Sequence, residues 1–496
     1  MNRDPVAHPV HSQLRTEFAV LPVQVEFYTG FMPHVVIVGG GLSGLTAAYR
    51  LTQAAPDISV TLLESHTRTG GNIGTEDHNG FVVETGPNGF LERTPAVPHL
   101  CRDLGLSDRL VAGSEAARKN RFLFLNGRLR KLPGSPLGLL ATPLLSLRGK
   151  WQLLTEPFRH RRLEETEESV AEFVTRRAGK EAADTFADAL VTGIHGGDPQ
   201  LLSVAAAFPR LPKMEREAGS IIRGFMRAAK LRKAEARERG EPPPGPQRMW
   251  SFREGLQVLT DSLSEKLGEA VRTGVRVQSI SASASVAPWK VYAENGHAWS
   301  ADAVVLACPA PQQAEIVADI DRPLADLIAG IPYNRIAVVA LGYRQLDCPR
   351  PADGFGYIAP QNTRRDVLGV QWCSSIYPGR APEGCVLWRA LCGGIHRGEM
   401  VSWNDDVLLK AVHTEMKIAM KVTGEPIFSR IVRWPAAIPQ YVLGHLDRVA
   451  RIERAAAAHA GLFLAGNAYR GVAMGDCVEQ GSAAAARVAL YLFRHA

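Results

Sequence analysis

Gly39, Gly41 and Gly44 fall in a G-x-G-x-x-G spacing, and an acidic residue, Glu64, follows twenty positions after Gly44. That set can bind a dinucleotide. Gly39 allows a sharp turn, Gly41 lets a pyrophosphate rest on bare backbone, and Gly44 lets a helix close on a strand. Leu42 and Ser43 complete the turn where that helix begins. Its free N–H groups and positive dipole end attract phosphate. Glu64 can accept hydrogen bonds from ribose hydroxyls. A lone glycine motif is a weak signal, so the elements that carry it decide its meaning.

Those elements are readable. Residues 35–38 are a β-branched run suited to a buried parallel strand. Residues 46–55 carry Ala, Leu and Tyr at helical spacing, and Pro56 ends that helix. Residues 58–63 alternate as a second strand that delivers Glu64. Ser65, Arg68, Gly70 and Gly71 then extend the site, with Arg68 bringing charge for the pyrophosphate. Residues 80–84 read as a strand, and Gly86-Pro87-Asn88-Gly89 as the tight loop after it. At the far end, residues 461–467 run as a strand through Gly466 into a turn at Asn467. Val472, Ala473 and Met474 lead into an Ala-rich helix over 477–493, with Asp476 as its N-cap. A helix N-terminus aimed at a flavin stabilises negative charge on the reduced ring. The two ends of the chain together predict FAD in extended form.

The middle is organised differently. Residues 96–245 read as a mainly helical insertion. Within it, 119–125 and 128–132 form a hairpin around Asn126-Gly127. Residues 132–157 are apolar, broken by prolines and flanked by Arg128, Arg130, Lys131, Arg148 and Lys150. Such a stretch either dips into one leaflet of a membrane or forms ordinary core helices with exposed ends. Residues 159–168 are densely charged, as a solvated helix face is. The glycine-rich stretch 192–199 suits backbone packed against a flat ligand, and His195 within it reads as structural. The proline-rich segment 242–246 is a connector back to the nucleotide-binding unit. Residues 271–280 read as one strand and 303–308 as a buried strand completing an interrupted sheet, while 316–450 are rich in antiparallel strands.

With 496 residues, the chain is longer than one core usually organises. Its net charge is +7, but the basic residues are scattered and no nucleic-acid motif is present, so nucleic acid is not an expected partner. None of the seven cysteines forms a C-x-x-C pair, which fits a reducing compartment and neither a disulfide framework nor a zinc site. Residues 1–31 lack the layout of a signal peptide and read as a disordered extension or an unused upstream start. No apolar run is long enough to span a bilayer.

The motifs VVIVGGGLSGLTAAYRL, LLESHTRTGGNI, ETGPNGF, NRFLFL, GIHGGDP, GFGYIAP, RWPAAIPQY and LFLAGNAYRGVAMGDCVEQG resemble the protoporphyrinogen oxidase family of FAD-dependent oxidases, over nearly all of residues 32–496. The resemblance implies six-electron oxidation of a porphyrinogen to a porphyrin, with O2 as acceptor and H2O2 as product. It implies a cofactor site made of Gly39, Gly41, Leu42, Ser43, Gly44, Glu64, Ser65 and Arg68 at the adenosine and pyrophosphate end. Val277 is expected beside the adenine. Gly71, Gly86, Pro87, Asn88, Gly89, Trp434, Val472, Ala473 and Met474 are expected nearer the ring, and Gly466 and Asn467 are expected in the cofactor site, Asn467 at a ribityl or phosphate contact. Asn467 departs from the family, where an acidic residue usually follows Gly466. Arg121 matches the arginine that holds a substrate propionate, and Gly193, Gly356, Leu368 and Trp372 are carried over as pocket residues.

The expected fold is α/β. A Rossmann-like FAD-binding domain (32–95, 246–315 and 455–496) is interrupted by a mainly helical, membrane-associating domain (96–245) and a mixed α+β substrate domain (316–454). No catalytic side chain and no metal are expected. The substrate is read as protoporphyrinogen IX, with coproporphyrinogen III as the alternative. An amine oxidase, a carotenoid desaturase and a non-catalytic flavin-binding partner protein are the remaining readings. A homodimer and a peripheral contact with the inner face of the membrane, from the cytoplasm, complete the expectations.

Overall fold

The computed structural model describes residues 32–91, 95–134, 138, 141–162, 166–238, 248–283, 288–350 and 352–495. The expected extension over 1–31 and the connector 242–246 lie outside them.

Two large sheets organise the chain. The first has five strands, in the order Val271–Arg272, Ser59–Leu63, His34–Val38, Ala303–Leu306, Leu462–Leu464. Every neighbouring pair in it is parallel. Its central strands are buried on both faces, which is why they read as unbroken apolar runs. Helix Leu42–Ala54 begins at Leu42, four residues earlier than its apolar spacing suggests. It packs across the closing helix Met474–His495. A Cβ on Gly481 would stand 2.4 Å from the Ser43 carbonyl oxygen, so this crossing needs a glycine.

The second sheet has seven strands, in the order Phe428–Trp434, Arg335–Arg344, Cys385–Gly394, Gly369–Gln371, Gly356–Ile358, Arg121–Leu125, Arg128–Lys131. One face packs on helix Asp405–Met420 around Tyr343, Trp372, Trp388 and Met416. The other presents Ile336, Val338, Leu391, Val432 and Trp434. Smaller elements include the hairpin Thr75–His78/Phe81–Glu84 and a three-stranded sheet that begins at Val277.

Several expectations change. The hairpin around Asn126-Gly127 forms, but Arg121–Leu125 pairs in parallel with Gly356–Ile358, so it is the edge of the seven-stranded sheet rather than part of a separate helical insertion. Residues 271–280 are two strands, because Val271–Arg272 joins the parallel sheet and Val277–Ala282 leaves it. Among the described residues 159–168 are not helical, and Glu168 is buried against Arg176 instead of solvated. The helix before the 192–199 glycines continues to His195. Asp476 is not an N-cap. It lies inside the closing helix, and its carboxylate reaches back to accept from the Ala473 N–H at 3.0 Å.

Candidate functional site

The three motif glycines have separate steric reasons. A Cβ on Gly39 would come within 2.6 Å of the Cys308 nitrogen, and φ there is +109°. A Cβ on Gly44 would sit 2.0 Å from the Gly39 carbonyl oxygen. At Gly41 nothing lies within 4 Å, so the backbone is open to a ligand. Gly41 is also the N-cap of helix Leu42–Ala54, and that helix has no acidic residue in its first turn to compete with an anion. Ser43 Oγ donates to the Cys477 carbonyl at 3.1 Å and joins the two helix N-termini that face this point.

Glu64 is buried at the end of strand Ser59–Leu63. Its Oε2 accepts from the Gly40 N–H at 2.7 Å, and its Oε1 from the His66 N–H at 2.8 Å and Ser65 Oγ at 3.2 Å. The carboxylate is therefore fixed beside the glycine turn. The Val275 N–H donates to the Glu64 carbonyl at 2.8 Å, which brings the start of the Val277 strand alongside. Gly70 donates to the Gly40 carbonyl at 2.7 Å, and a Cβ on Gly71 would be 3.3 Å from the Gly41 Cα, so the R-x-G-G segment lies on the same turn. Arg68 behaves differently from expectation. Its guanidinium donates to the carbonyls of Thr69, Ile73 and Gly71 at 3.0, 2.7 and 3.0 Å, so three of its five N–H groups shape this loop and the others remain for a ligand.

The remaining cofactor candidates lie on the 86–89 loop with Trp434 and on the segment that opens the closing helix. The Trp434 indole donates to the Thr85 carbonyl at 2.8 Å and joins the apolar sheet face to the Gly86–Gly89 loop. Gly86 and Pro87 lie partly buried in that loop beside buried Asn88, whose Nδ2 has no hydrogen-bond partner. Gly466 follows the last parallel strand, and the Asn467 carbonyl accepts from the Tyr441 hydroxyl. Val472, Ala473 and Met474 open the closing helix, whose N-terminus they form. These residues fit a dinucleotide carrying a ring: an open backbone cradle, a fixed carboxylate and idle buried donors at the far end.

The substrate candidates are not brought together. Arg121 begins its strand with its guanidinium over the Phe355 ring, 5.0 Å from the centroid, and has no hydrogen-bond or ion-pair partner among the described residues. Arg118 and Lys119 are both engaged by Glu115. Leu368 lies at the other end of the short strands, against Gly196, Gly394 and the apolar face. It lines a cleft of about 660 Å³ that also includes Lys180, Arg364, Arg397 and Gly393. Trp372 is buried on the opposite face, in the core against helix Asp405–Met420, so it cannot line the same pocket as Leu368. Gly356 and Gly193 are packing positions. A Cβ would meet the Val370 carbonyl oxygen at 2.0 Å in the first case and the Ile358 Cδ1 at 2.7 Å in the second.

Burial pushes the His195 imidazole down to about 4, so the ring is neutral near pH 7, in keeping with a structural role. Its carbonyl accepts from Asn334 Nδ2 at 2.7 Å and Gln440 Nε2 at 2.9 Å. Asn334 also accepts from the Ile438 N–H at 3.0 Å. This buried asparagine ties the helical segment to the site, and no local pattern singles it out. Among the described residues no His, Cys, Asp and Glu cluster could hold a metal ion.

The flavin-containing amine oxidoreductase profile matches residues 42–489. The coproporphyrinogen III oxidase of Bacillus subtilis is 29% identical, over 93% of this chain and 98% of its own length. A chloroplastic protoporphyrinogen oxidase of Nicotiana tabacum is 33% identical, over 93% and 86%. The crystal structure of a protein from Exiguobacterium sp. 255-15 superposes with a TM-score of 0.78 at 26% identity, covering 93% of this chain and 100% of that one. The chain belongs to the flavin-containing amine oxidoreductase family, on the branch of the protoporphyrinogen and coproporphyrinogen III oxidases.

Proposed function

We propose that this protein is an FAD-dependent oxidase that converts protoporphyrinogen IX to protoporphyrin IX, with O2 as acceptor and H2O2 as product. The observation that carries the substrate assignment is the unpartnered Arg121 guanidinium at the edge of the seven-stranded sheet. A guanidinium with free donors and an aromatic face behind it suits bidentate capture of a propionate. FAD, when bound, supplies a hydride acceptor at N5 and returns the electrons to O2. The protein's part is to hold and orient. Gly41 and the helix start at Leu42 would take the pyrophosphate, Glu64 the ribose, and Trp434 with residues 86–89 and 472–474 the ring end. His195 is too deeply buried and too weakly basic to serve as a general base near neutral pH. The apolar face of Ile336, Val338 and Leu391 excludes water beside that end. Residues 32–95, 246–315 and 455–496 act as the cofactor-binding unit in this reading.

Purified protein with bound flavin should generate porphyrin fluorescence from protoporphyrinogen IX under air. Absence of flavin, or of fluorescence, would overturn the reading. Arg121→Ala should lower kcat/KM about 10- to 100-fold, mostly through KM, which corresponds to losing a charged hydrogen bond of about 1.5–3 kcal/mol. Flavin content should be unchanged, and Arg121→Lys should recover part of the loss.

A second substrate reading is favoured by the Bacillus subtilis relative, whose name gives coproporphyrinogen III oxidation. Four carboxylates call for more free cations than two. Glu115 already occupies Arg118 and Lys119, which supports the dicarboxylate. Turnover of both porphyrinogens by one preparation separates the two.

Peripheral membrane attachment belongs to the same proposal. Among the described residues no helix is long and apolar enough to cross a membrane. Leu147, Trp151 and Leu154 share one face of helix Leu147–Leu154 and are exposed, as are Phe158, Phe225 and Met226. The Arg223 guanidinium lies over the Phe158 ring and joins the second helix to this patch. Trp151→Ala is expected to reduce co-sedimentation with vesicles containing anionic lipid several-fold without changing turnover of detergent-solubilised substrate.

A further inference from the structure

Behind the Gly86–Gly89 loop lies a buried polar cluster that the dinucleotide motifs do not account for. Glu84 ends the Phe81–Glu84 strand, Arg380 follows the Gly369–Gln371 strand, and Arg389 lies inside the strand Cys385–Gly394. All three are 2% exposed. The Glu84 carboxylate accepts from Thr75 Oγ1 at 2.8 Å and the Leu256 N–H at 2.9 Å, and pairs with Arg380 Nη2 at 3.1 Å. Arg389 forms no salt bridge among the described residues. Its Nη1 donates instead to the Glu84 carbonyl at 2.7 Å. Two buried guanidiniums thus lie at Glu84, but only Arg380 pairs with its carboxylate, leaving a net positive charge.

The cluster is also incompletely bonded. Arg389 Nε, Arg380 Nη1 and Asn88 Nδ2 are buried donors without a partner. A buried cation with idle donors is costly unless something negative lies close by. The position says what that is. Thr85, next after Glu84, takes the Trp434 indole N–H. Leu391, two residues after Arg389, belongs to the apolar face with Val338 and Trp434. The cluster therefore sits between the loop and the sheet face that together form the ring end of the site.

We propose that Arg389, with Arg380, is the counter-charge that stabilises the reduced, anionic flavin, and that Glu84 limits that effect, so that this trio sets the redox potential of the cofactor. The inference rests on the FAD reading above. Arg389 is a positioning and tuning residue here, acting through its field and through the loop it holds. Low-dielectric surroundings strengthen such a field.

The test is the two-electron midpoint potential of the holoenzyme, measured by dye equilibration in wild type and three variants. Arg389→Gln should disfavour the reduced flavin about tenfold, about 30 mV downward for a two-electron couple. Glu84→Gln keeps the shape, removes the opposing charge and should move the potential upward. Arg389→Lys, which keeps the charge, should stay near wild type. Opposite signs for the first two variants are a result that a purely structural role does not produce. Potentials that are unchanged, or that shift in the same direction, in FAD-loaded Arg389→Gln and Glu84→Gln would overturn the proposal. If Arg389→Gln fails to fold, an unchanged or lowered potential in Glu84→Gln does so alone. Wild-type protein that binds no FAD would instead overturn the cofactor reading itself.

Discussion

Gly44→Ala is expected to yield a protein that loses its yellow colour on gel filtration. The new methyl carbon would stand 2.0 Å from the Gly39 carbonyl oxygen, and both atoms belong to the turn proposed above to take the pyrophosphate. Helix Leu42–Ala54 must then back away from strand His34–Val38, and its N-terminal N–H groups retreat with it. Overpacking of this kind costs about 1–3 kcal/mol. If the cost falls on the bound state, FAD affinity drops about 10- to 100-fold. Gly41→Ala is the informative partner, since nothing of the protein lies within 4 Å of its added carbon. The flavin-free Gly41→Ala protein should melt like flavin-free wild type while still losing FAD affinity. Gly44→Ala should show a lower melting temperature as well. Fluorescence titration with FAD and thermal unfolding of the stripped proteins distinguish the two outcomes.

Arg177→Ala carries the largest expected loss of stability, about 3–5 kcal/mol. Arg177 is fully buried, and its guanidinium pairs with Glu156 and Glu215 while donating to the carbonyls of Arg159, His160 and Gly219. Glu156 is itself 1% exposed and accepts from the Ile221 and Ile222 N–H groups at the start of helix Ile221–Glu238. Removing the arginine leaves the Glu156 carboxylate in the interior without its counter-charge, while Glu215 keeps its pair with Arg176. The expected result is early melting of the helices around residues 147–238, seen as a separate far-UV circular dichroism transition, with flavin retained by the parallel sheet. The same group predicts an acid limit. Burial alone would raise the Glu156 and Glu215 pKa values, but hydrogen bonds from Ser220, Ile221 and Arg177 to Glu156, and from Arg176 to Glu215, hold both below the usual carboxylate value. A depressed folded pKa contributes stability that is complete above the unfolded value and lost as pH falls through the folded one. The wild-type transition should therefore move to lower temperature below about pH 4, where an unfolded glutamate starts to protonate.

The cofactor end of the molecule was legible in the sequence because its logic is local. Three glycines, one helix start and the acid after the second strand lie within one βαβ unit, and each residue's steric role follows from the backbone beside it. The closing helix could be read for the same reason, although its N-terminal boundary could not, since Asp476 serves equally well as a cap or as a first-turn acceptor. The substrate side depended on faces and partners that no short window contains. Whether Trp372 points to a pocket or to the core depends on where helix Asp405–Met420 docks. The Asn126-Gly127 turn announced a hairpin but could not announce that its first strand would pair with residues 356–358. Arg389 and Glu84 are 305 positions apart in the chain, and although Glu84 opens the ETGPNGF motif, Arg389 stands in none of the quoted motifs.

The strand order of the parallel sheet also dictates when a nascent chain can complete that sheet. His34–Val38 leaves the ribosome early, yet its neighbour Ala303–Leu306 is made much later and the edge strand Leu462–Leu464 later still. The helix that packs on Leu42–Ala54 is the last element of all. The strand of Arg121 has only its hairpin partner Arg128–Lys131 until residues 356–358 are synthesised. Until Ala303–Leu306 is made, His34–Val38 has a neighbour, Ser59–Leu63, on one side only, and its other edge stands open, a condition that invites chaperone binding or aggregation. The parallel sheet and the helix crossing at Gly481 are therefore complete only once the last residues are made. A nonsense mutation that removes only the closing helix leaves the glycine motif intact in sequence and without its packing partner in space.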